Sequence, residues 1–389
     1  MTPTRSTRKS EAAVAKKLKV MTIVGTRPEI IRLACVIRRL EGTTDHVLVH
    51  TGQNYDYNLN EVFFRDLGLR SPDHVLNVDT SSLGAVLGDV LRGTERVLLE
   101  EKPDAMVVLG DTNSCVSAIM GKRLKVPVFH LEAGNRSFDP NVPEEINRHL
   151  VDHVSDYNLV YTEHSRRNLL SEGLHPRDVM VMGSPMLEVL TSYRDQIDAS
   201  DVLERLGLEP GGYLLASVHR EENVDRKDRL EQVLASLQAV AADQDVPFLV
   251  STHPRTRKRI EQYGLETNTN IHLHEPLGFH DYNKLQLSAR CVISDSGTIS
   301  EESSMLGFPA VTVRDAIERP EALDTGAIIT TGLDPKDVVD AVRITIEQHQ
   351  VDGAVSVPLD YQISDSSRRV VNFIRSSATT HHMRKGIRR

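Results

Sequence analysis

The chain of 389 residues contains no tryptophan, 4% aromatic residues and only three cysteines. With so few rings, the core has to be built from aliphatic side chains. Cys35, Cys115 and Cys291 are odd in number, far apart and set in apolar runs. That pattern argues against a disulfide framework or a cysteine zinc site and fits buried thiols in a cytoplasmic protein. No apolar run reaches the roughly 18 residues of a membrane-crossing helix, so no membrane insertion is expected. Positive charge is in deficit, with a net charge of −9, and this gives no support for nucleic-acid or membrane-surface binding. An anionic ligand must then be met by local basic groups. No GxGxxG follows the first apolar strand, and GxxxxGK[ST], HExxH and CxxC do not occur. Nicotinamide, P-loop, zinc-protease and dithiol chemistries lose ground accordingly.

What is present is alternation. Short β-branched runs (20–25, 46–51, 105–109, 126–131, 158–161, 179–182) are separated by amphipathic, helix-length segments such as 29–40, 59–67, 83–101 and 113–124. Buried strands with intervening helices predict a parallel sheet covered on both faces. A polar helical stretch at about 188–210 ends in Pro210-Gly-Gly212, and the alternation then restarts, with strands at 213–218, 247–251, 271–273, 291–294, 310–313 and 327–331. The expected fold is α/β, two Rossmann-like doubly wound domains facing across a cleft. Residues 18–188 form the first and 189–360 the second. A helix within 361–378 is expected to return to the first domain. Residues 1–17 are basic without an apolar segment and read as a disordered extension, not a signal peptide. Residues 379–389 read as a frayed tail; its adjacent His381 and His382 are near enough to touch a metal, but disorder is the stronger reading.

Chemistry-bearing residues fall just after the strands, where such a fold places its crevice. Gly25-Thr26-Arg27-Pro28-Glu29 joins a capping residue, an Arg and a helix start, an anion site in outline. Gly110-Asp111-Thr112 follows the third strand, although Asp111 also suits a plain helix cap. The stretch 127–148 carries His130-Leu-Glu132-Ala-Gly134, Arg136, Asp139, Pro143-Glu144-Glu145 and Arg148. That charge density after a buried strand suits acid/base work on an anionic substrate, with solvated ion pairs as the bland alternative. His219-Arg220-Glu221-Glu222-Asn223 offers an imidazole and a guanidinium for a phosphate, and His253 is a weaker case. Ser294-Asp-Ser296-Gly297-Thr298 runs into a helix with small residues that let backbone amides approach a pyrophosphate. Arg314 and Glu318-Arg319-Pro320-Glu321 follow another strand. Acids and bases thus come from the first half and a phosphate cradle from the second.

Read together, these strings resemble the non-hydrolysing UDP-N-acetylhexosamine 2-epimerases. Gly-Thr-Arg-Pro-Glu (25–29), Gly-Asp-Thr (110–112), His-Leu-Glu-Ala-Gly (130–134), Pro-Glu-Glu-Ile-Asn-Arg (143–148), His-Arg-Glu-Glu-Asn (219–223), Ser-Asp-Ser-Gly with Glu-Glu (294–302) and Glu-Arg-Pro-Glu (318–321) occur in the family's order. The resemblance implies a glycosyltransferase-B-like architecture, a homodimer, no cofactor, no metal, and a UDP-linked 2-acetamido sugar as substrate. It implies loss of the C2 proton, anti elimination of UDP to a 2-acetamidoglycal, and syn re-addition with a proton on the opposite face. Asp111, Glu132 and Glu144 would be the carboxylates of proton transfer, and clustering of the three is one route to a raised pKa. His219 would assist the phosphate. Arg27, Arg32, Arg136, Arg148, His253, Ser296, Gly297, Glu302 and Arg314 would bind substrate.

Departures from the allosteric UDP-GlcNAc epimerases point to a branch. Gly52-Gln53-Asn54-Tyr55-Asp56-Tyr57-Asn58 stands where those enzymes carry Gly-Gln-His, Arg32 replaces a lysine, and the loop from Asp139 to Pro143 is short. These features, with the run 297–304, resemble enzymes that make UDP-N-acetyl-L-fucosamine from its L-talosamine epimer for surface polysaccharide. The rival expectations are a UDP-GlcNAc/UDP-ManNAc 2-epimerase, a hydrolysing epimerase lacking its kinase domain, and a GT-B glycosyltransferase. A non-enzymatic nucleotide-sugar binder comes last.

Overall fold

The structure is a computed structural model that describes residues 17–53, 57–267, 269–314 and 319–388. The extension before residue 17, Asn54-Tyr55-Asp56 and Glu318 lie outside the described residues. Two parallel sheets organise the chain. The first has seven strands in the order β3-β2-β1-β4-β5-β6-β7: β1 Lys19–Val24, β2 Asp45–His50, β3 His74–Val75, β4 Ala105–Leu109, β5 Val128–Leu131, β6 Tyr157–Val160 and β7 Val179–Val181. The second has six in the order β10-β9-β8-β11-β12-β13: β8 Leu214–Ser217, β9 Phe248–Ser251, β10 Ile271–His274, β11 Val292–Ser294, β12 Ala310–Val313 and β13 Ile329–Thr331. Strand order reverses beside β1 and β4 in one sheet and beside β8 and β11 in the other, and a doubly wound sheet opens its binding crevice at such points.

The central strands β4, β5 and β6 are buried at every residue, which is why their sequences are unbroken apolar runs. Helices cover both faces of each sheet. The Arg27–Thr43 helix buries Ile30, Leu33, Ala34, Ile37 and Leu40 against the first sheet. Three short helices, Met186–Ser192, Arg194–Asp198 and Val202–Leu206, lead from one core to the other: Ile197 packs in the first and Val202 in the second.

The Ser366–Ser377 helix lies on the first half. Val370, Val371 and Ile374 join the core beneath the Arg27–Thr43 helix, and Arg39 Nε donates to Ser367 Oγ at 2.8 Å. The expectation of a frayed tail is corrected for its described part. Ala378–Thr380 is a 3-10 turn and His381–Lys385 a short helix. His381 is buried, with its ring 5.6 Å from that of Tyr157, and Lys385 pairs with Asp178 at 2.6 Å. Tyr157, Phe129 and Phe373 form an aromatic seat on which this basic segment buries one of its two imidazole rings, that of His381.

Candidate active site

The turn after β1 is fixed by the carboxylate of Glu29, in the first turn of the helix that follows. Glu29 is buried and accepts hydrogen bonds from the amides of Gly25 and Thr26, at 3.0 Å for the latter. Its other oxygen accepts from the hydroxyls of Thr112 and, at 2.6 Å, Ser114. Burial pushes the Glu29 carboxyl up, against these donors. The loops after β1 and β4 are thereby tied together, and Arg27 is left on the cleft wall over the Phe63 ring. A Cβ on Gly25 would lie 2.5 Å from both Gln53 Nε2 and Thr51 Oγ1, so only glycine fits.

Asp111, after β4, holds Arg148 of the Pro143–Val154 helix, with Arg148 Nη2 2.6 Å and Nε 2.7 Å from the same carboxylate oxygen. Arg148 Nη1 also reaches Glu145 at 3.0 Å. Glu144, in the first turn of that helix, is half-buried. Burial pushes its carboxyl up and neighbouring Asp111 adds to this, while Arg220 and Arg148 pull the other way. Desolvation, more than crowding of carboxylates, therefore raises the basicity of Glu144 and makes it a candidate for proton transfer.

Glu132, after β5, has a left-handed backbone with φ +63°, a conformation that costs a non-glycine residue about 1–3 kcal/mol. The close approach of Gly134 below it shows how tight the turn is: a Cβ there would lie 2.4 Å from Ser165 O. The turn sets the Glu132 carboxylate between guanidiniums from both halves. Arg319 Nη2 lies at 2.6 Å and Arg32 Nη1 at 3.4 Å, with the Tyr161 hydroxyl at 3.4 Å. Both arginines also grip Glu301, at 2.6 Å from Arg32 and 2.8 Å from Arg319. Burial alone would push Glu301 up, but Arg319, Arg32 and the Ser184 hydroxyl outweigh it and hold the carboxyl below its ordinary range.

The second half supplies the facing wall. His219 follows β8, with Nδ1 3.4 Å from fully buried Asp295. Asp295 also accepts from the amides of His219 and Arg220 and from Asn223 Nδ2 at 3.1 Å, which sets the loop's shape. Desolvation lowers the His219 pKa; Asp295 opposes this, while Arg220, Arg27 and Arg314 reinforce it. Three guanidiniums around a neutral imidazole make a strongly positive locus for a polyanion. Between the halves lies a cavity of about 1050 Å³ including its open mouth. Arg27, Arg32, His219, His253, Ser296 and Glu302 line it, so six expected residues meet on one surface. Gly297 sits half-buried in the turn between Ser296 and Thr298. Burial pushes the Glu302 carboxyl up against the 2.7 Å donation from Gln286. Arg314 is buried behind His219, within 4.0 Å of Glu222.

Asp111, Glu132, Glu144 and Arg148 are not among the residues that line this cavity. Glu144 is near enough to feel Arg220 of the second half, and Glu132 is held by Arg32, which does line it, and by Arg319. The expectation that Arg136 binds substrate is corrected. Its side chain is fully buried and paired with Asp152 at 2.7 Å and Glu172 at 2.7 Å, so it braces the loop after β5. Arg319, Glu301 and Tyr161 were missing from the expected site. The Glu-Arg-Pro-Glu string signalled the first, and Glu301 stood beside Glu302 in the sequence.

A family model described as UDP-N-acetylglucosamine 2-epimerase matches residues 38–375. The chain belongs to the non-hydrolysing UDP-N-acetylglucosamine 2-epimerase family. Members of this family are isomerases, and so is this chain. A UDP-N-acetylglucosamine 2-epimerase from Methanocaldococcus jannaschii is 37% identical over 340 residues, 85% of this chain and 93% of the relative. A UDP-2,3-diacetamido-2,3-dideoxy-D-glucuronate 2-epimerase from Pseudomonas aeruginosa is 34% identical over 335 residues, 85% of this chain and 92% of the relative. The solved structure of UDP-N-acetylglucosamine 2-epimerase from Rickettsia bellii superposes with a TM-score of 0.87 at 44% identity, covering 94% of this chain and 98% of that one. The two facing sheets are thus the glycosyltransferase-B-like arrangement of these family members.

Proposed function

We propose that the chain inverts C2 of a UDP-linked 2-acetamido sugar. The observation that carries this is the pairing of Glu144, a desolvated carboxyl of raised pKa, with the guanidiniums of Arg220 and Arg27 that surround His219 in the facing half. A carboxylate removes the C2 proton, the C1–O bond breaks, and UDP departs with the bonding electrons to leave a 2-acetamidoglycal. Return of the UDP oxygen to C1, with a proton added to the other face of C2, completes an inversion with no net redox change. Asp111, Glu132 and Glu144 serve the proton transfers, and His219 with the arginines holds the diphosphate. Ser296 and Gly297, in the turn before the next helix, offer backbone amides to the diphosphate, and Glu302 on the same cavity wall binds the rest of the nucleotide or the sugar. A homodimer in a reducing compartment goes with this reading.

For the sugar, the names of the relatives favour UDP-GlcNAc and UDP-ManNAc. A second reading, conversion of UDP-2-acetamido-2,6-dideoxy-L-talose to UDP-N-acetyl-L-fucosamine, rests on residues 51–58 and the Arg32 replacement. Incubation in D2O with each sugar tests both. Deuterium is expected at C2 of one pair without added cofactor, and the pair that exchanges identifies the substrate. Failure of both pairs to exchange would overturn the epimerase proposal for these sugars.

A further inference from the structure

The Pro143–Val154 helix carries Glu144 and Arg148 in its first turns, and its outer face carries a second constellation. His149 and His153 are four residues apart and so share one helical face. Glu172 meets them from the end of the neighbouring Glu163–Ser171 helix. His153 Nε2 lies 3.0 Å and His149 Nδ1 3.6 Å from the same Glu172 oxygen, and one ligand atom from each of the three residues lies within 4.8 Å of the others. Around a tetrahedral ion with bonds of about 2.0–2.2 Å, ligand atoms stand about 3.3–3.6 Å apart. Among the described residues this is the one such grouping of three histidine, cysteine or carboxylate side chains.

We propose that His149, His153 and Glu172 bind a divalent transition metal of the zinc class, clamping the two helices together. The surrounding residues prepare the ligands. Arg136, itself fully buried, donates from Nε and Nη2 to the two Glu172 oxygens at 2.7 Å each. That fixes the carboxylate plane and leaves a further lone pair on the oxygen nearest the imidazoles. His149 Nε2 faces Glu145 at 3.7 Å, which favours the proton on Nε2 and the lone pair on Nδ1, the atom turned toward Glu172. Metal-binding histidines are commonly oriented in this way by a carboxylate behind them. Glu172 and Asp152 against Arg136 leave one net negative charge for the cation, and two imidazoles with one carboxylate suit zinc, nickel or cobalt over magnesium. The site is independent of the reaction proposed above.

The test uses the untagged full-length protein stripped with a chelator. Isothermal titration with Zn2+ is expected to show one saturable equivalent, Co2+ to give the visible bands of a low-symmetry site, and Mg2+ to do neither. Both histidines are about half exposed, at 49% and 46%, so His149→Ala and His153→Ala are expected to fold normally, checked by thermal unfolding without metal. Each should weaken Zn2+ by about tenfold or more, as loss of a ligand implies, and should remove the metal-dependent rise in Tm. Absence of a one-equivalent isotherm, or a double variant that keeps Zn2+ within tenfold of wild type, would overturn the site.

Discussion

Glu132 and Glu144 illustrate two ways of preparing a carboxylate. Glu132 is held by charge, between Arg32 and Arg319, and by a backbone turn that few residues tolerate. Glu132→Gln keeps the shape and removes the charge. It should lower kcat by about 10²–10⁴-fold, the usual worth of a positioned acid or base, while UDP affinity measured by calorimetry holds. Loss of UDP binding instead would move Glu132 from chemistry to binding. Glu144 is prepared by desolvation. Its folded pKa is raised above the unfolded value, so its contribution to stability is full below the unfolded pKa and is lost as pH rises through the folded one. Glu144→Gln lacks that loss. The variant's stability relative to wild type should therefore grow as pH rises above the ordinary glutamate range in urea melts, with epimerisation abolished. A flat difference would mean that burial does not burden this carboxyl.

Asp111, Glu132, His219 and Ser296 were legible because each stands just after a strand where no core needs charge. Their partners were not. Arg32 meets Glu301 and Glu132 meets Arg319 only because two sheets far apart in sequence face each other, and no local pattern encodes that. Arg136 shows the converse, since its place in a charged loop looked functional until Asp152 and Glu172 were seen around it.

At the scale of elements, apolar runs disclosed twelve strands and left out β3, whose two half-buried residues carry no pattern. The stretch 113–124, read as one helix, is a 3-10 turn over Asn113–Ser117 followed by an α-helix over Ala118–Arg123. The Thr112 hydroxyl accepts from the Ser114 amide and the Cys115 amide bonds to Thr112 O at 3.1 Å, closing a tighter turn. The junction of β1 with the Arg27–Thr43 helix is the element on which the anion site depends. Gly25→Ala forces a methyl group against Thr51 and Gln53. It should cost about 1–3 kcal/mol, as overpacking does, and weaken UDP binding through displaced Arg27. Wild-type stability together with wild-type UDP affinity would show that the turn has room to give.

At the scale of the molecule, the two halves are joined by ion pairs in the cleft and by a helix that crosses back. Deleting the residues after 365 removes Val370, Val371 and Ile374, each almost wholly buried. At about 1.5–3 kcal/mol per side chain the loss is of order 5–9 kcal/mol, comparable with the whole stability of a typical domain. Hydrogen exchange on the shortened chain should show β1 and the Arg27–Thr43 helix exchanging freely while β8 and β11 stay protected. Equal protection in both sheets would show the helix to be dispensable.

That returning helix also sets an order on the ribosome. The polypeptide of the first half has emerged long before Ser366–Ser377 is made, and the second half is synthesised in between. At about 5–20 residues per second, the first core waits about 10–40 s with an apolar groove still open. The second half, whose cores contain no residue from that helix, is able to close first, so the part of the chain made later is the part that finishes earlier.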